Sequence, residues 1–134
     1  MVTDRVGDFI IRLQNAAKIG KRSVTVPHSL HLLAIAKKLK ELGFLDRVEV
    51  QEKEDDSVKK KIHAILSYNE HGVPKLRGVN RISKPGRRLY VPYTAAHTVK
   101  GGTGALILSS PAGIISDKEA RTARSGGEQL FEIW

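Results

Sequence analysis

The sequence contains no cysteine, which excludes disulfides, thiolate metal sites and a cysteine nucleophile together. That absence fits a reducing compartment. No apolar run approaches the roughly 20 residues that a membrane-spanning helix needs. Near the N-terminus Asp4, Arg5, Asp8 and Arg12 interrupt the apolar residues. This is unlike a secretory leader, and the two acids are unlike an organelle transit peptide. The expected location is the cytoplasm, of a bacterium rather than an organelle, with no membrane partner. Acid is also scarce where it would matter. From His71 to Ser116 there is no Asp or Glu, while Lys75, Arg77, Arg81, Lys84, Arg87, Arg88 and Lys100 all fall there. No internal repeat and no low-complexity tail is present.

What is there is enough to fold. A chain of 134 residues suits one compact domain or two small ones, and an apolar fraction of 40% supplies a core. Basic residues number 23 against 14 acidic ones, a net charge of +9. A long basic stretch without acids is how a polyanion-binding face looks in sequence. The first half mixes signs, with a local run of Glu52, Glu54, Asp55 and Asp56. A generally basic surface and an anionic membrane are weaker readings of the same charge than a nucleic-acid partner.

Along the chain, Val6, Phe9, Ile10, Leu13 and Ala17 recur at helical spacing from Asp4 to about Lys18, with Thr3 as a candidate N-cap and Gly20 as the stop. Ser23 to Val26 is short and β-branched, a strand ending at Pro27. Ser29 can cap a second helix that buries Leu32, Leu33, Ile35, Ala36, Leu39 and Leu42 and stops at Gly43. Phe44–Val50 and Ile62–Tyr68 read as strands joined by the charged Gln51–Lys61 connection. The order α-β-α-β-β predicts helices on one side of a small sheet.

After Gly72 the character changes. Val73–Ile82 is basic and partly alternating, and Ser83-Lys84-Pro85-Gly86 makes a turn. Leu89–Val91 and Ala105–Leu108 are expected strands, separated by the glycine-rich Gly101–Gly104. Ser116-Asp117-Lys118-Glu119 is a capping box, so a short helix should run to about Arg124 and end at Gly126-Gly127. Glu128–Trp134 closes the chain as a strand. The fold class is α+β: an N-terminal α/β module over residues 1–72 and a mostly β C-terminal module over 73–134.

No catalytic constellation emerges. His28 and His31 lack a third ligand nearby, and His63, His71 and His97 are scattered. Asp55-Asp56 imitates a carboxylate pair but suits a charged hairpin tip. Gly101–Gly104 lacks the lysine, hydroxyl and following helix of a phosphate loop. No cofactor and no metal are expected. Nucleic-acid chemistry is better represented. Lys84, Arg87 and Arg88 surround Tyr90 and Tyr93; the cations can neutralise phosphates and an aromatic face can stack on a base. One of the two tyrosines should be core. Ser109-Ser110-Pro111-Ala112-Gly113 follows a strand, and its adjacent hydroxyls suit either plain turn chemistry or an RNA-contacting loop.

Four segments in order carry a resemblance. They are Asp8-Phe9-Ile10-Ile11-Arg12-Leu13-Gln14-Asn15-Ala16; Ser83 to Tyr90; Gly104 to Asp117; and Ala120-Arg121 with Gly126-Gly127-Glu128. Together they resemble the S-eight family of small-subunit ribosomal proteins over essentially the whole chain. The resemblance implies two small modules, the C-terminal one docking on a helix of the central domain of 16S-type rRNA. The family's serine-threonine-serine-x-glycine loop maps onto Ser109, Ser110 and Gly113, with Pro111 in place of the third hydroxyl. Ile115 takes a position where methionine is common. Tyr90 and Glu128 carry over as site residues beside Lys84, Arg87 and Arg88. Expected partners are the rRNA, neighbouring small-subunit proteins and the protein's own messenger RNA. The rival classes are a small enzyme using the histidines and glycine loop, and a DNA-binding module.

Overall fold

The computed structural model describes residues 4–53 and 56–134, with the side chains of 52, 53 and 56–59 also outside the description. Thr3, the expected cap, and the Asp55-Asp56 carboxylates therefore lie outside the described residues. Among the described residues there are three α-helices and two antiparallel sheets, an α+β fold. The chain forms two compact units: Phe9–Arg77, and Gly78–Trp134 joined by the residues up to Asp8.

Helix α1 (Arg5–Lys18), whose residues from Phe9 onward belong to the first unit, buries Phe9, Ile10, Leu13, Ala16 and Ala17. Asp4 caps its start, accepting from the Gly7 amide at 3.0 Å. Its end is a Schellman motif: Lys21 N–H bonds Ala16 O at 2.8 Å and Gly20 N–H bonds Ala17 O at 3.3 Å, with Gly20 at φ +74°. Helix α2 (Leu30–Glu41) starts on Ser29, whose hydroxyl accepts from Leu32 N–H at 3.1 Å. It stops the same way, with Gly43 at φ +90°.

Strands β1 (Ser23–Pro27), β2 (Leu45–Lys53) and β3 (Asp56–Leu66) form a sheet with β3 in the middle. Val24 faces Ala64 and Val26 faces Ile62, and all four are buried. Thr25 and His63 point to the opposite face, bonded at 2.9 Å. The segment expected as a loop from Gln51 is instead largely strand, with Gln51 paired to Lys61. Strand pairing uses backbone groups, so a run of charged side chains does not prevent it.

In the second unit, β8 (Gly127–Ile133) is central. On one side it pairs β6 (Ala105–Ser110), which pairs β7 (Gly113–Ser116). On the other it pairs β4 (Val79–Arg81) and β5 (Tyr90–Val91). Within the basic, partly alternating stretch Val73–Ile82, the residues Val79–Arg81 form strand β4. Strand β7 fills a stretch that sequence reading leaves as loop. Helix α3 (Asp117–Ala123) carries the expected capping box between Ser116 and Glu119. Leu106, Leu108, Ile115, Ala120, Ala96 and Val99 form the core beneath it.

The helix ends at Ala123, close to the expected Arg124, but the glycine pair is not what stops it. Arg124, at φ +54°, takes the left-handed cap, and Ser125 N–H bonds Ala120 O at 3.0 Å. Gly126 and Gly127 serve close approach instead. A Cβ on Gly126 would strike the Val91 carbonyl and Pro92, and one on Gly127 would strike the backbone of Ser109 and Ser110. The two glycines let β8 thread between β5 and β6.

Candidate nucleic-acid interface

Register builds this surface. Tyr90 on β5 pairs with Glu128 on β8, and Glu128 pairs with Ser109 on β6. Directly opposed residues project to one face, so Tyr90, Glu128 and Ser109 form a row across three strands. Tyr90 is 70% exposed. Tyr93 begins a 3₁₀ turn, Tyr93–Ala95, and is half-buried. Neither tyrosine is core, contrary to the expectation that one would be. Tyr90 lies on the two-residue strand β5 against the first residues of β8, and Tyr93 lies beyond it in the 3₁₀ turn.

The two serines divide their tasks. Ser110 Oγ accepts from Ala112 N–H at 3.1 Å and donates to Gly113 O at 3.0 Å. It is an internal brace of the β6–β7 turn. Pro111 presets its own φ at the first turn position, and Gly113 takes φ +113°, where a side chain is strained but would meet nothing. Ser109 forms no side-chain hydrogen bond among the described residues. Its hydroxyl remains available as donor and acceptor.

Beside the row stands a second turn. Lys84 N–H bonds Arg87 O at 3.0 Å and Arg87 N–H bonds Lys84 O at 2.9 Å. Pro85 and Gly86, with Gly86 at φ +85°, supply the residues that a type II turn favours. Lys84 and Arg87 are exposed and have no ion-pair partner among the described residues. Arg88 Nη1 lies 3.2 Å from Glu128 Oε2. This bond orients the carboxylate at the middle of the row and leaves Arg88 half exposed. Not every cation of the acid-free stretch is available. Arg81 is bound to Asp4 and to the Ser83 carbonyl, Lys75 bonds Leu42 O at 2.8 Å, and Lys100 lies over Trp134.

Sequence reading missed the supports of this surface, Asp4, Arg81 and Gly127, because nothing local marks them. Burial disfavours the ionised Asp4 carboxylate, but the hydrogen bonds from Arg81 and the Gly7 amide outweigh it, helped by the charges of Arg81 and Arg88. The group is held below the ordinary aspartate value. Among the described residues no three His, Cys, Asp or Glu side chains converge as a metal site, and no helix is long and apolar enough to cross a membrane.

The comparison with known proteins decides the family. The model of the family Ribosomal protein S8 matches residues 4–134. The chain belongs to this family. Relatives named small ribosomal subunit protein uS8 include that of Chloroflexus aggregans, 39% identical over 99% of this chain and 98% of its own length. That of Halothermothrix orenii is 37% identical over 99% and 98%, and that of Sorangium cellulosum is 37% identical over the full length of both. S8 proteins are structural proteins of translation, so this chain is not an enzyme.

Proposed function

We propose that this chain is a structural constituent of the small ribosomal subunit that binds the central domain of 16S-type rRNA directly and supports subunit assembly. Its contacts are Tyr90, Ser109, Gly113 and Glu128, with Ser110 bracing the β6–β7 turn and Lys84, Arg87 and Arg88 on phosphates. Neighbouring small-subunit proteins are its other partners, in the cytoplasm. The observation that carries this reading is the three-strand row of Tyr90, Glu128 and Ser109, whose hydroxyl, like the Lys84 and Arg87 cations beside it, has no side-chain partner among the described residues.

The chemistry suits irregular RNA. A paired RNA helix hides its base edges in a deep groove and displays 2′-hydroxyls and distorted pairs. A short hydroxyl reads both donors and acceptors, and an exposed ring stacks on an unpaired base. The Glu128 carboxylate accepts from an amino group or a 2′-hydroxyl, and Gly113 admits a sugar against the backbone. The cations add affinity without sequence preference.

Two variants test this division. Ser109→Ala should cost about 1–3 kcal/mol on the cognate fragment, the scale of a specific base contact, and little on random RNA. Lys84→Ala should weaken all RNAs alike. Equal losses by both variants on both RNAs would remove the reading. The same surface would recognise a messenger RNA that folds into the same helix, giving feedback repression by the protein of its own synthesis. A transcript lacking any such helix would rule that out.

A further inference from the structure

The turn bearing Lys84 and Arg87 is held from beneath by side chains that the RNA contacts do not use. Ser83 is fully buried. Its hydroxyl accepts from Leu89 N–H at 2.9 Å and donates to Leu89 O at 3.4 Å. The loop is anchored to β8 where Ser83 N–H bonds Gln129 O at 3.1 Å and Gln129 N–H bonds Leu89 O at 2.8 Å. The Ser83 hydroxyl thus ties the loop's two ends together directly below the cationic tip.

The tie continues away from the surface. Arg81 Nε donates to the Ser83 carbonyl, and Arg81 Nη1 donates to the Asp4 carboxylate. Asp4 also accepts from Gly7 N–H at 3.0 Å as the cap of α1. Gly7 has no side chain where one would collide with the Arg81 guanidinium and the Asp4 carboxylate. A glycine is less favourable than alanine inside a helix, and here it leaves room for the arginine.

We infer that Asp4, Arg81 and Ser83 are positioning residues that fix the Lys84–Arg87 turn for phosphate contact. This rests on the RNA-binding reading above. None of the three touches RNA. A loop already fixed at its base loses less freedom when RNA orders it, so the relay acts on affinity through the two cations.

The test is a double-mutant cycle with a central-domain 16S-type rRNA fragment at two salt concentrations. It compares the unaltered protein, Ser83→Ala, the Lys84→Ala/Arg87→Ala variant and the triple variant. Ser83→Ala should weaken binding about three- to tenfold, the worth of one net hydrogen bond. It should also make the salt slope shallower by about one. On the Lys84→Ala/Arg87→Ala background it should change nothing. Gly86→Ala, at an exposed site where a Cβ meets nothing but φ is +85°, distorts the tip without disturbing the buried serine. It should show the same non-additivity; Asp4→Asn, which breaks the relay at its far end, replaces Ser83→Ala if that variant does not fold. An equal loss on both backgrounds overturns the relay while leaving the RNA surface standing. A Lys84→Ala/Arg87→Ala variant that binds as the unaltered protein does overturns the turn's role in RNA binding and the relay with it.

Discussion

Ser109 and Ser110 are adjacent in the chain and chemically identical, yet their surroundings assign them different work. The Ser110 hydroxyl is spent on Ala112 N–H and Gly113 O, whereas Ser109 forms no side-chain hydrogen bond among the described residues. Ser110→Ala should therefore lower stability by about 0.5–1.5 kcal/mol, the net worth of an internal hydrogen bond. Ser109→Ala should leave thermal unfolding unchanged. Melting curves of the two variants check this, and equal destabilisation would contradict it. Asp4 gives a second residue-scale expectation. Its folded carboxyl titrates below the ordinary aspartate value, so its contribution is fully present at neutral pH. The contribution is lost as pH falls through the depressed folded value. Unfolding followed from pH 7 into acid should show the protein more stable than Asp4→Asn at neutral pH, with the gap closing only below the usual aspartate range. A gap independent of pH would show that the charge on Asp4 is not what stabilises. At this scale the sequence was informative about residue types but not about partners. The basic residues were visible as a run, but which of them are bound internally, as Arg81 is, depends on a residue far away in the chain.

Elements were legible where their signals are local. The stripes of α1 and α2 repeat at 3.6 residues, and Gly20 and Gly43 both sit at the left-handed positions that stop those helices. The capping box of α3 is also a local pattern and forms as read. Strand β7 was not legible, because Gly113–Ser116 is four residues long and shows no clear alternation. The role of Gly126-Gly127 was misassigned because a glycine pair after a helix reads as a stop. Only the sheet shows the backbones pressing from Val91 and Ser109. The actual stop, Arg124, is a side chain in the left-handed region, which costs about 1–2 kcal/mol. Arg124→Gly should raise stability by up to about 1 kcal/mol, after the added freedom of the unfolded glycine is offset. Chemical denaturation measures this, and a loss of stability would mean that the arginine side chain makes contacts worth more than the strain.

For the whole molecule, composition set the chemical class. A net charge of +9 with an acid-free stretch points to a polyanion, and family membership narrows that to the S8 proteins. Tyr90, Glu128 and Ser109 were each named through the family resemblance, but their alignment as one row was beyond the sequence, because strand register creates it and no local pattern encodes register across β5, β8 and β6. The central claim is that this row discriminates one RNA site while the cations supply general affinity. It is tested most directly by titrating the protein, at two salt concentrations, against a central-domain 16S-type rRNA fragment and a scrambled duplex. The account predicts cognate binding orders of magnitude tighter at physiological salt, with the gap persisting as salt rises. Equal and steeply salt-sensitive binding to both RNAs would contradict it, leaving a basic protein without a specific rRNA site.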